Sequence, residues 1–175
     1  PRTLTPDMMV ALGEAGFTRA SLGVQSFDPR VQKEINRIQS VDCTAAAVDG
    51  LRAAGIHGIN FDLIYGLPLQ TTASCVETVE QCLALQPDRF SVFGYAHVPK
   101  FKKHQRKINE ASLPGGHARH DQATAIADVL VAAGYVRIGL DHFARPGDTL
   151  ARAQAEGRLR RNFQGYTTDA CTTLI

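Results

Sequence analysis

One carboxylate interrupts an otherwise apolar run. In INFDLIYGLP (residues 59–68), Asp62 has Phe61 before it and Leu63 and Ile64 after it. A carboxylate in a buried strand requires a strong partner. That partner is either a fixed structural salt bridge or the hydroxyl, amine or cation of a ligand. Gln25 ends another apolar stretch, RASLGVQ (19–25), where it either satisfies turn amides or meets a ligand. Arg37 follows shortly after; it either reaches back over the end of that stretch or lies in solvent. Tyr95, Ala96 and His97 follow a third stretch, and Asp141 and His142 close a fourth. The Asp141-His142 pair invites a hydrolase or metal reading, with ordinary loop histidines as the alternative for both His97 and His142. No G-x-S-x-G elbow and no H-E-x-x-H accompanies the pair. His117 and His120 share a helix face, but two ligands do not close a metal site. Cys43, Cys75, Cys82 and Cys171 form no C-x-x-C. They read as buried free thiols, and no metal ligand set is expected.

These residues need elements to position them. LTPDMMVALGEAGF (4–17) reads as a helix with Thr5 as N-cap and Pro6 in its first turn. DPRVQKEI (28–35) starts a second helix, and VDCTAAAVDGLRAAG (41–55) a third, capped by Asp42 and stopped by Gly55. Further helices are expected from Thr71 or Thr72 to Leu85, from Gly116 to Ala133 and from Asp148 to Gly157. Between them lie strands at 19–25, 58–68, 89–95 and 135–143. Alternating strands and helices of this length predict an α/β fold with a parallel sheet. An open doubly wound sheet and part of a (β/α) barrel both fit. No G-x-G-x-x-G or Walker pattern is present. In parallel sheets ligands bind at the C-terminal ends of strands, which is where Gln25, Tyr95, Ala96, His97 and Asp141-His142 fall.

The composition narrows the function. The chain has 175 residues, 19 basic and 17 acidic, for a formal charge of +2, which is no nucleic-acid signature. The basic run KFKKHQRK (100–107) is either a solvated face or a contact for an anionic small molecule. No signal peptide and no apolar run of membrane-spanning length is present, so a cytoplasmic protein without a membrane span is expected.

Several stretches together resemble the oxygen-independent coproporphyrinogen III oxidase family of radical S-adenosylmethionine enzymes. They are SLGVQSFD with INRIQ (21–28, 35–39), INFDLIYGLP, FGYAHVP (93–99), QRKINEASLP (105–114), GLDHFARPGD (139–148) and NFQGYTTD (162–169). The last two separate the oxidase from heme chaperone-like relatives. The resemblance implies a parallel-sheet fragment of a partial (β/α) barrel. It also implies anaerobic oxidative decarboxylation of two propionates of coproporphyrinogen III to vinyl groups, in heme biosynthesis. The implied cofactors are a [4Fe-4S] cluster and S-adenosylmethionine, and the implied partner is an unidentified electron donor. Gln25, Arg37, Asp62 and Ala96 match residues that contact the S-adenosylmethionine. Phe163 and Gln164 match residues lining the substrate side, within a loop that closes over substrate.

The family's C-x-x-x-C-x-x-C cluster motif, its glycine-rich segment and its C-terminal domain have no counterpart in residues 1–175. The chain is therefore expected to be a partial radical domain, inactive by itself and active only as part of the intact enzyme, and its half barrel to leave an open sheet edge. Two other readings stand beside this one: a non-catalytic remnant or tetrapyrrole carrier, and an α/β hydrolase using Asp141 and His142.

Overall fold

A computed structural model describes residues 3–162 and 165–171. The chain runs α1 (Pro6–Glu14), β1 (Arg19–Gln25), α2 (Pro29–Glu34), α3 (Val41–Ala53), β2 (Gly58–Tyr65), α4 (Thr72–Ala84) and β3 (Arg89–Gly94). It continues through α5 (Gly116–Ala132), β4 (Val136–Ile138), β5 (His142–Ala144), α6 (Thr149–Ala155) and the hairpin β6 (Arg160–Asn162)–β7 (Gly165–Thr167). Helix starts follow local chemistry. Thr5, Asp28, Thr71 and Asp148 each accept a first-turn amide with their side chains. The cap of α3 is Ser40, which accepts from the Cys43 amide at 3.1 Å, and not Asp42. Asp42 lies two residues further on, in the first turn, where its charge favours the positive helix end.

The main sheet has the order β1-β2-β3-β5-β4. β1, β2 and β3 are parallel and joined by helical crossovers. Parallel pairing stops there. The stretch 135–143, expected as one parallel strand, is two: β5 pairs antiparallel with β3, and β4 antiparallel with β5. Gly139, at φ +57, turns the chain between them in a conformation that L side chains rarely adopt. The fold is thus α/β with a mixed, open sheet. Its three parallel strands follow chain order, and α3, α4 and α5 all cover one face, the arrangement of a partial barrel. Among the described residues no helix is long and apolar enough to cross a membrane.

Strand alternation gives the sheet two unlike faces. Leu22, Val24, Ile59, Phe61, Leu63, Phe90, Val92 and Phe143 point toward the helices and are buried with Val48, Leu51, Val79, Ile126 and Leu130. Phe90 stands edge-on between Phe61 and Tyr135, with ring centroids 6.1 and 5.2 Å away. Cys75 and Cys82 belong to this core, where burial pushes the Cys75 thiol up to about 12 and the Cys82 thiol higher. Cys43 and Cys171 are exposed, against the expectation of buried thiols, because neither falls on a core-facing position. The opposite face carries Ser21, Gly23, Asn60, Asp62 and Ser91 in register.

The loops at the C-terminal ends of the parallel strands are pinned by five buried glutamines: Gln32, Gln39, Gln70, Gln105 and Gln122. After β1, Gln32 donates to the Ser26 and Gln39 carbonyls and accepts from the Gln39 amide. After β2, Gln70 spans the Leu67 amide and the Ile64 carbonyl, while Gln122 of α5 spans the Gly66 amide and the Gln70 carbonyl. After β3, Gln105 joins the Val98 amide to the Ala96 carbonyl.

The other end of the sheet is closed by charge. The Asp148 side chain is 4% exposed, held by Arg89 at 2.7 Å and Arg19 at 2.9 Å, and caps α6 through the Leu150 amide at 2.8 Å. Burial opposes its ionisation. The hydrogen bonds from Arg89 and Leu150 and the charges of Arg89 and Arg19 outweigh burial, so the carboxyl is held below its ordinary value.

Asp148→Asn strands two guanidinium groups and should cost about 3 kcal/mol at neutral pH, read by urea denaturation. A carboxyl lowered in the folded state stabilises above the ordinary value of about 3.9 and loses that contribution as pH falls through the folded value. Wild type should therefore lose stability in that acid window, and Asp148→Asn should show a flatter profile there. Gln122→Leu leaves the Gly66 amide and Gln70 carbonyl unpaired and should cost ~1–3 kcal/mol, with faster hydrogen exchange confined to residues 66–70.

Candidate functional site

The end of β1 is built around a glycine. A Cβ at Gly23 would sit 2.6 Å from the Gln25 amide nitrogen and 2.9 Å from Nη2 of Arg37. Gln25 and Arg37 therefore share the space above Gly23, which no larger residue leaves open. Arg37 Nη2 donates to the Gly23 carbonyl at 2.7 Å, and the Gln39 amide approaches the same oxygen at 3.4 Å. The pairing of β1 with β2 slips between Gly23 and Gln25, and Gln25 takes φ +66, a left-handed value for a non-glycine residue. Such bulges re-aim a side chain next to a site, and the strain is carried by the surrounding lock of Gln32 and Gln39.

Asp62 is the register partner of Gly23. Its Oδ2 accepts from the Ser21 hydroxyl at 2.9 Å and its Oδ1 from the Asn60 amide at 2.8 Å. Asn60 also donates to Ser21 at 2.8 Å and accepts from Ser91 at 3.3 Å. A polar ladder thus crosses three strands on the open face. Among the described residues Asp62 is in no ion pair, which removes the structural salt bridge as its partner. Gln25, Arg37 and Asp62 come together across β1 and β2.

Ala96 lies beyond the end of β3, and its carbonyl is taken by Gln105 at 3.0 Å. Beside it, Tyr95 Oη is 3.2 Å from His97 Nδ1, and His97 Nε2 is 3.1 Å from the exposed Glu110. With the Nε2 proton donated to Glu110, Nδ1 accepts from the phenol. Burial pushes the Tyr95 phenol above its ordinary value. Arg119 of α5 donates to the Tyr95 carbonyl at 2.7 Å and lies over Gly66 and Gly94, so the ends of β2 and β3 are tied through one guanidinium.

Asp141 and His142 do pair, at 2.7 Å. The His142 ring stands edge-on to Phe93 (5.9 Å) and Tyr166 (5.3 Å), and Tyr166 Oη accepts from the Leu140 amide at 3.0 Å, fastening the β6–β7 hairpin to the sheet. Among the described residues no serine, threonine or cysteine hydrogen-bonds His142, so the hydrolase reading has no nucleophile. Phe163 and Gln164 lie outside the described residues. His117 and His120 join no metal set, since among the described residues no group of three or more His, Cys, Asp and Glu is placed to hold an ion. The four cysteines do not fit an iron–sulfur cluster either: two are deep in the core and two are isolated on the surface.

The residues fit an adenosyl ligand better. Gly23 lets the Gln25 carboxamide and the Arg37 guanidinium pack where a Cβ would otherwise sit, and Asp62 keeps acceptor capacity beyond two neutral donors. Sequence reasoning missed Ser21, Asn60 and Ser91, which hold Asp62. Their signal was the in-register alternation of polar residues in SLGVQ, INFDL and RFSVF.

Three comparisons bear on this arrangement. The model of the radical SAM superfamily matches residues 1–82. The whole chain is 69% identical to part of an oxygen-independent coproporphyrinogen III oxidase of Bradyrhizobium diazoefficiens and 49% identical to part of that of Pseudomonas aeruginosa. It spans 39% and 38% of their lengths. Its fold superposes on the coproporphyrinogen III oxidase of Escherichia coli, itself a radical SAM enzyme. The TM-score is 0.93 at 46% identity, over 97% of this chain and 39% of that one. The archaeal Elp3 of Methanocaldococcus infernus, at 17% identity and TM-score 0.58, shares the fold over 70% of the chain. The chain belongs to the radical SAM superfamily, in the family of the oxygen-independent coproporphyrinogen III oxidases.

Proposed function

We propose that the protein containing this chain carries out the anaerobic oxidative decarboxylation of coproporphyrinogen III to protoporphyrinogen IX, in the cytoplasm, as a step of heme biosynthesis. The observation that carries this reading is the 69% identity of all 175 residues to 39% of a named oxidase, combined with the grouping of Gln25, Arg37 and Asp62 around Gly23. S-adenosylmethionine, if held by Gln25, Arg37, Asp62 and the Ala96 backbone, would supply the hydrogen-abstracting chemistry by which two propionates lose carbon dioxide and become vinyl groups.

The residues of this chain bind and orient. Asp62 accepts from the ribose hydroxyls, since its two intrachain donors leave lone pairs on both oxygens. Arg37 holds a carboxylate or ribose oxygen by a charge-assisted bond. Gln25 is aimed by the bulge into the same space. The Ala96 backbone contacts the adenine, in a loop that Gln105 keeps from shifting. Phe163 and Gln164 are assigned to the substrate side by the family resemblance alone, since they lie outside the described residues. The iron–sulfur cluster that the family uses is not held by these residues, and its electron donor is a separate partner. Residues 1–175 are accordingly read as part of the radical domain.

The test uses the full-length protein purified without oxygen. Iron and sulfide near four per chain, with conversion of coproporphyrinogen III that requires S-adenosylmethionine, are expected. A protein without iron after reconstitution and without turnover sinks the reading in favour of a tetrapyrrole carrier. Asp62→Asn should weaken S-adenosylmethionine binding by roughly 10- to 100-fold, the loss of hydrogen bonds to a charged acceptor, as read by equilibrium dialysis. Binding equal to wild type removes Asp62 from the cofactor site.

A further inference from the structure

A basin of about 940 Å³ opens at the C-terminal ends of the strands, beside the cofactor residues. It falls within the ~300–1,000 Å³ range of small-molecule sites. Its floor is apolar: Ile64, Leu67 and Ile108 line it, with the Tyr95 ring as a wall. Ile64 lies two positions beyond Asp62 on the same face of β2, and Asn36, another lining residue, precedes Arg37 in the chain. Through Ile64 the basin lies on the same open face of β2 that carries Asp62.

Its rim is cationic. Lys33 from α2 faces it from one side, and Lys103, His104 and Lys107 from the other, with Glu34 as the opposing carboxylate. The lysines are exposed, and among the described residues none forms an ion pair. Two of them stand on the 3₁₀ turn Lys103–Lys107, which is fixed from inside. Gln105 in the middle of that turn is buried and clamps the Ala96–Val98 backbone, and Arg106 donates to the Pro99 carbonyl at 3.1 Å. Ordering the backbone removes part of the entropy cost of using these long side chains.

An apolar floor with uncompensated ammonium groups around it selects a ligand with a broad apolar body and several peripheral anions. We propose that this basin seats the tetrapyrrole ring and that Lys33, Lys103 and Lys107 hold its propionate carboxylates. The inference rests on the reading that the protein acts on coproporphyrinogen III. It assigns the substrate side to the 100–107 segment of this chain. A seat on the same face of β2 as Asp62 suits a reaction in which a hydrogen atom must pass between cofactor and substrate at near-attack distance.

The experiment titrates the full-length protein with coproporphyrin III, the stable oxidised analogue, by fluorescence quenching at low and high ionic strength. The Lys103→Gln/Lys107→Gln double variant should raise the Kd about tenfold and lose most of the salt dependence, while S-adenosylmethionine binding stays at the wild-type value. Lys103→Arg/Lys107→Arg should keep most of the affinity. These side chains are exposed, so folding is unaffected, which far-UV circular dichroism checks. An unchanged Kd in the glutamine variant overturns the assignment and leaves the proposed reaction standing. Weakened S-adenosylmethionine binding with unchanged porphyrin binding overturns it too. A wild-type protein that does not bind the porphyrin overturns the proposed substrate together with the basin.

Discussion

The architecture depends on how backbone amides are satisfied where the parallel strands end. A strand inside a sheet has its N–H and C=O groups paired by neighbours, but the loop that leaves its C-terminal end does not, and a buried unpaired group costs as much as a lost bond. Here a side-chain amide takes over that role. Gln32 and Gln39 lock the loop after β1, Gln70 and Gln122 the loop after β2, and Gln105 the loop after β3. Glutamine suits the task because its one group donates and accepts, so it can bridge a carbonyl and an amide on the same loop. Gln122 reaches from α5 to a loop it is remote from in sequence, which couples helix packing to loop position. The loops beside the site are held by these buried amides, while Asp62 is held by Ser21 and Asn60 of the sheet itself.

This division explains the difference between the two ends of the sheet. At the N-terminal end of the strands, Asp148 sits between Arg19 and Arg89 and joins β1, β3 and α6. Its oxygens are consumed by the protein, and nothing is left for a ligand. At the C-terminal end the strained φ of Gln25 is tolerated because Gln32 and Gln39 fix the segment that follows it. The charged lock thus lies at the end of the sheet opposite the candidate site, as barrel enzymes generally arrange stability and function.

Much of this was legible in the sequence. The apolar runs ending in Gln25 and passing through Asp62, and the helices between them, follow from periodicity and capping, so the three parallel strands lie where expected. The hairpin of β4 and β5 was not legible, because YVRIGLDHF reads as one strand unless Gly139 is known to adopt a positive φ, and only the packing of Tyr166 against Gly139 shows that it must. The Ser40 cap was hidden by Asp42, a residue equally suited to capping. Cys43 and Cys171 were misjudged because thiols are buried on average, while these two fall off the core face. The buried glutamines were invisible in principle: an amide in LPLQTT or FKKHQRK looks like ordinary loop polarity, and its burial depends on tertiary partners. The role of the basic run stayed open for the same reason. Its lysines gain meaning only once Gln105 turns them toward an apolar floor.

The two aspartates show how one residue type is given opposite tasks. Asp148 is paired with guanidinium groups, and its charge is balanced within the fold. Asp62 is held by a hydroxyl and a carboxamide, donors that fix its orientation without cancelling its charge. Replacing Asn60 or Ser21 by a cation would anchor Asp62 more firmly and at the same time occupy it. The ladder through Ser21, Asn60 and Ser91 therefore does what an ion pair cannot: it orients a carboxylate on the open face of the sheet without cancelling its charge.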